Sequence, residues 1–208
     1  MKRLEAALEL IRGANVLADI GCDHGLLPLA ALESGRAKKA YACDISAKSL
    51  EKAQTALSGR DDAVCIVSDG LDAVPRDFDT VTICGMGAQT MLGIISRSGT
   101  NAALVLQPQT QAHEVRKTLT EKLGYKLTEE KLAFERGRYY PVMRFEKGEG
   151  RLSELETMFG INVSHPDAVL VKMCEKLKNV YERLPADGKN SRILAAAVQV
   201  LNNKKIDG

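Results

Sequence analysis

The stretch NVLADIGCDHGLLP, residues 15–28, decides the fold. Its first part, Asn15 to Ile20, is an apolar run of strand length, and its last part opens a helical pattern. Between them Asp19, Gly21, Cys22, Asp23, His24 and Gly25 form a glycine-bearing strand-to-helix turn. Glycines at such a turn let a ligand approach the backbone where a Cβ would collide with it. The dinucleotide fingerprint G-x-G-x-x-G is absent. The spacing is D-x-G-x-x-x-G with two acidic side chains, which suit a cationic ligand better than a pyrophosphate.

Outward from this turn the pattern repeats. Apolar runs at Ala40 to Cys43, Ala63 to Val67, Phe78 to Cys84 and Ala102 to Leu106 alternate with helical patterns at Leu26 to Ser34, Ala47 to Leu57, Gln89 to Ile95 and Ala112 to Leu123. Such alternation implies an α/β fold whose parallel sheet is covered on both faces. Lys126 to Phe134 and Tyr139 to Phe145 flank Glu135-Arg136-Gly137-Arg138 and read as an antiparallel hairpin, giving seven strands. Leu4, Ala7, Leu8 and Ile11 place a short amphipathic helix at the start. The polar break Lys147-Gly148-Glu149-Gly150 divides a domain at 1–148 from an appendage at 149–208. There Val169, Met173, Leu177, Val180 and Leu184, then Ile193, Ala197, Val200 and Leu201, predict two antiparallel helices packed like a short coiled coil.

Ligands of open parallel sheets bind at the carboxyl-terminal rim. Asp44, followed by Ile45, ends the second strand some 20 residues beyond the glycine turn, where a carboxylate can accept both hydroxyls of a ribose. Ser68-Asp69-Gly70-Leu71 adds an acid and a glycine at the same rim. Together the three signals select S-adenosylmethionine, with Asp19, Asp23 and the glycines near its methionyl end, Asp44 at the ribose and Asp69 at the adenine amine. The plainer alternative makes these acids helix N-caps.

The chain resembles the bacterial tRNA adenine-22 N1-methyltransferases, the TrmK family, over about residues 1 to 205. The resemblance is carried by Asp19-Ile-Gly21-Cys22-Asp23-His24 with Leu27-Pro28, Gly85-Met86-Gly87 after the fourth strand, Leu106-Gln107-Pro108-Gln109 with His113 and Arg116, and Gly137-Arg138-Tyr139-Tyr140. Cys22 and Ala88 stand where the family usually has serine and glycine. The resemblance implies a Rossmann-like class I S-adenosylmethionine-dependent methyltransferase sheet. It also implies a C-terminal helical coiled coil that helps to hold tRNA.

The fourth-strand loop lacks the Asp/Asn-Pro-Pro-aromatic sequence with which exocyclic-amine methylases hold amine hydrogens. Cys84-Gly85-Met86-Gly87 instead points to a ring nitrogen with a free lone pair, such as adenine N1. No strong base is then needed, and the protein must align atoms and keep acceptors near the new cation. Asp23 and Gln107 are the candidates, with Pro108 stiffening the loop. His24 as general base is the competing assignment. Arg116, Arg138 and Tyr140 are the candidate RNA contacts. Cys22, Cys43 and Cys84 with His24 lack close ligand pairs, so buried thiols are expected and no metal.

The 208 residues carry 45% hydrophobic and 27% charged residues and a formal charge of +2, which excludes disorder and a strongly basic nucleic-acid coat. No apolar stretch is long enough for a membrane and no secretory segment follows Met1-Lys2-Arg3, so the expected compartment is the cytoplasm, with five free thiols. The expected partner is tRNA and the expected state a monomer. Two other functions fit the cofactor signals: a small-molecule methyltransferase, and an idle nucleotide-binding module that assembles through its C-terminal hairpin.

Overall fold

The computed structural model describes residues 2–203, so Met1 and residues 204–208 of the expected appendage lie outside the described residues. Helix α1 (Arg3–Leu10) opens the chain. The elements β1 (Ala14–Ile20), α2 (Leu26–Glu33), β2 (Ala37–Asp44), α3 (Ala47–Ala56), β3 (Ala63–Val67), β4 (Thr80–Met86), α4 (Ala88–Ser98), β5 (Ala103–Pro108) and α5 (Ala112–Glu121) follow in alternation. Strands β6 (Tyr125–Glu135) and β7 (Arg138–Lys147) form the expected hairpin. The seven-stranded sheet has the order β3-β2-β1-β4-β5-β7-β6, with β7 inserted antiparallel between β5 and β6. Strand order reverses between β1 and β4, the crevice at which open α/β sheets bind ligands.

Period-two alternation sends neighbouring residues to opposite faces. Ala18 and Ile20 of β1 and Leu104 and Leu106 of β5 pack with Met91, Ile95, Val115 and Leu119, so α4 and α5 cover one face. Leu17 and Val105 pack with Ala7, Leu10, Leu27, Ala31, Leu50 and Ala53, so α1, α2 and α3 cover the other. The carboxyl end of α1 is held by two arginines: Arg36 donates to the carbonyls of Glu9 and Ile11, and Arg144 to that of Leu10 at 2.9 Å. These cations satisfy carbonyls that a helix end leaves unpaired. Two ion pairs, Arg3–Glu135 and Glu9–Lys131, tie α1 to β6, and Arg12–Glu129 ties the segment just after it.

The C-terminal region holds more than two helices. Helix α6 (Glu154–Phe159) and a 3-10 turn (Ile161–Val163) precede α7 (Ala168–Tyr181) and α8 (Gly188–Asn203). Ser153 and Glu156 form a reciprocal capping box at the start of α6, a short-range signal hidden by the absence of a long apolar stripe. Leu170 and Cys174 of α7 pack with Ala197 and Val200 of α8. Leu132 of β6 and Phe159 of α6 pack against this cluster.

Candidate active site

The strand-to-helix turn is pinned to β2, since the N–H groups of Gly21 and Cys22 both donate to the Cys43 carbonyl, at 2.8 and 3.0 Å. Asp23 (φ +46°) and Gly25 (φ +68°) adopt left-handed backbone, costly for a residue with a Cβ. At Gly25 a Cβ would also stand 3.1 Å from Ala53 of α3, so glycine is required there on two counts. Gly85 (φ +83°) sits where the β4–β5 register shifts between Cys84 and Met86.

A cleft of about 360 Å³ opens beside this turn. Asp19, Gly21, Cys22, Asp23, His24, Gly85 and Gln107 line it together with Cys84, so the structure gathers seven of the expected site residues around one space. Asp44, Ile45, Asp69, Gly70, Met86 and Gly87 stand outside its lining, along with Gly25 and Pro108. The two groups meet through Asp44, whose carboxylate accepts from the Asp23 N–H at 3.4 Å and from the Ser46 N–H at 2.9 Å. An ionised carboxylate has about four acceptor positions, so two remain for hydroxyl groups. Ile45 beside it is 70% exposed, an apolar side chain held in water at the rim.

Inside the cleft Asp19 is buried and accepts from the Thr82 hydroxyl. Burial pushes its carboxyl up to about 7, against the opposing Thr82 hydrogen bond and with help from the Asp44 charge. Burial likewise pushes the Cys22 and Cys84 thiols up, and Cys43 to about 12, so all three stay protonated. Gln107 is buried and spends one amide N–H on the Pro108 carbonyl at 2.8 Å, which leaves its Oε1 as an acceptor. His24 is half-exposed, with Nε2 3.6 Å from Asp23 and 3.4 Å from Lys52. Asp69 is shared with Arg97, which reaches both its carboxylate and its carbonyl and also Asp72, so Arg97 organises this loop. Among the described residues no cluster of His, Cys, Asp or Glu has the makings of a metal site.

One expected RNA contact is corrected, and a second is partly covered. Arg116 is 2% exposed and lies against Glu130, with further bonds to the Thr157 and Met158 carbonyls, so it joins α5, β6 and α6 and cannot reach a phosphate. Its position on a helix with a charged neighbour, Lys117, gave it the look of a surface cation; the buried partner is 14 residues away and invisible to local pattern. Tyr140 is half-buried and packs on the α1–α3 side, with the Arg3 guanidinium 4.7 Å from its ring centroid, so that face is covered. Arg138 is exposed at the hairpin turn.

The sequence reading missed one whole wall. Lys2, Arg3, Leu4 and Glu5 of the N-terminal segment and Glu135 of β6 line the cleft together with the glycine turn. The signal was the Lys2-Arg3 pair ahead of the α1 apolar stripe, but only the tertiary docking of α1 turns it toward the site.

The family model described as a methyltransferase domain matches residues 1–143. The tRNA (adenine(22)-N(1))-methyltransferase of Bacillus subtilis is 31% identical over 156 residues, 71% of this chain; the chain spans 65% of that relative's length. Among solved structures, the B. subtilis m1A22 tRNA methyltransferase TrmK superposes with a TM-score of 0.75 at 26% identity, covering 99% of this chain and 97% of that one. TrmK of M. capricolum, in complex with S-adenosyl-homocysteine, superposes with a TM-score of 0.80 at 25% identity, covering 98% and 97%.

Proposed function

The chain belongs to the methyltransferase-domain family, and from that premise we propose that it transfers the methyl group of S-adenosylmethionine to N1 of adenine 22 in tRNA. The observation that carries the reading is the gathering of Asp19, Asp23 and Gln107 around one cleft beside a Gly85 loop without amine-holding acceptors. This donor set suits the cofactor. Carboxylates carry the sign that a sulfonium and an ammonium need, and Asp44 keeps free acceptor positions for ribose hydroxyls.

The cofactor supplies an electrophilic methyl group on sulfur. The chain's own residues then have three tasks. Asp44 and the pinned turn hold the donor; Gln107, immobilised through Pro108, orients the acceptor base; and Asp23 stands in the cleft wall as an acceptor facing the charge that the purine ring gains. Adenine N1 offers its lone pair at neutral pH, so no residue has to remove a proton. The target base is stacked inside folded tRNA, and its presentation costs on the order of a few kcal/mol of unstacking. Residues 1–148 act as the catalytic unit and 149–208 as the arm that holds tRNA, in the cytoplasm. No helix among the described residues is long and apolar enough to cross a membrane.

Incubation with labelled S-adenosylmethionine and tRNA lacking the modification, followed by nucleoside mass spectrometry, tests this. N1-methyladenosine at position 22 is expected. Label in another nucleoside, or in no RNA at all, would overturn the assignment.

A further inference from the structure

Arg3 is the cationic residue of the cleft that the protein fixes most firmly. Its backbone N–H and its Nε both donate to Glu135 Oε2, at 3.4 and 3.1 Å, and its guanidinium lies 4.7 Å from the centroid of the Tyr140 ring. These contacts set the plane and direction of the guanidinium, yet among the described residues no hydrogen bond takes up Nη1 or Nη2. The side chain is 31% exposed, and it lines the cleft that also holds Asp19, Asp23 and Gln107.

We propose that Arg3 grips the backbone phosphate of the nucleotide being methylated and so positions its base in the cleft. This rests on the RNA-methylating reading above. A guanidinium offers two parallel N–H groups that match two phosphate oxygens, and one whose plane is already fixed loses little freedom on binding. The chemistry places it at the phosphate rather than the base. Methylation at N1 makes the purine cationic, so a guanidinium against the ring would oppose the product, whereas a phosphate brings the opposite charge. Simple stapling of α1 is a weaker explanation, because Glu9–Lys131 already ties that helix to β6 and Arg12–Glu129 ties the residues just after it.

The test uses the full chain and unmodified tRNA, with steady-state methylation measured across a salt series and cofactor affinity measured by calorimetry. Arg3→Ala should lower kcat/KM for tRNA at least tenfold while cofactor affinity stays within about twofold. Its plot of log kcat/KM against log salt should flatten by about 0.7 to 0.9, the contribution of one phosphate. Arg3→Lys should restore the slope but only part of kcat/KM, since it keeps the charge and loses the fork. Lys131→Ala, which loosens α1 without touching the cleft, should keep the wild-type slope. An Arg3→Ala enzyme with wild-type kcat/KM and slope, or one whose loss lies wholly in cofactor affinity, would overturn the proposal. A wild-type enzyme that methylates no tRNA would instead remove the parent reading, and this one with it.

Discussion

Asp19 and Thr82 meet across neighbouring strands β1 and β4, the hydroxyl donating to a carboxylate that is only 3% exposed. This is the one strongly shifted carboxyl in the cleft wall. Its folded-state value near 7 lies above its ordinary 3.8, so the neutral form is favoured by folding. Stability from this group is therefore complete below about pH 4 and is lost as pH rises through 7, by up to a few kcal/mol. Asp19→Asn should melt higher than wild type at pH 8 and level with it at pH 4. Equal melting temperatures at pH 8 would refute the shift.

A cationic ligand beside Asp19 should pull its proton off. Affinity for S-adenosylmethionine is expected to rise as pH rises through about 7, with proton release visible as a buffer-dependent calorimetric enthalpy. The inflection should vanish in Asp19→Asn. An inflection that persists in that variant would take Asp19 out of this role.

Asp44→Ala removes acceptors from the Asp23 and Ser46 N–H groups as well as from the ribose hydroxyls. Cofactor affinity should fall about ten- to a hundredfold, from the loss of charge-assisted bonds worth roughly 1.5 to 3 kcal/mol. Calorimetry showing unchanged affinity would take Asp44 out of the site.

At saturating cofactor and tRNA, Gln107→Ala should slow single-turnover methylation by roughly a hundredfold, the usual loss for one preorganised polar partner. His24→Ala should change it little. The reverse ranking would make the half-exposed imidazole the working group.

Arg116→Ala would leave the buried Glu130 carboxylate without its cation and free the Thr157 and Met158 carbonyls. Destabilisation of about 3 to 5 kcal/mol is expected in urea titration. Arg116→Met with Glu130→Leu should recover much of it, because a buried pair and a well-packed apolar pair are often of similar stability. A single variant as stable as wild type would contradict the buried-pair account.

The parallel sheet and its helices were legible because strand and helix periods are local: Ala63 to Val67 is both the expected and the observed strand. The glycine turn and Asp44 were legible for the same reason, since a rim position follows directly from a strand end. What escaped depends on contacts between distant segments. Arg116 looks exposed until Glu130 and α6 close over it, and Arg3 looks like an ordinary helix-terminal cation until Glu135, 132 residues later, turns it into the cleft. Helix α6 escaped because six residues are too few to show a period.

The docking of α1 on β6 also fixes an order of assembly. Helix α1 precedes β6 in the chain, and Lys131 and Glu135, the ionic partners of Glu9 and Arg3, follow it by more than a hundred residues. At usual elongation rates of about 5 to 20 residues per second, Leu17 and Leu27 join its apolar stripe of Ala6, Ala7 and Leu10 within a few seconds, whereas the ionic partners on β6 follow on the order of ten seconds later. The wall that carries Arg3 is thus translated before the strand that seats it, so a nascent chain stalled before β6 holds the glycine turn but lacks the Glu135 side of the cleft.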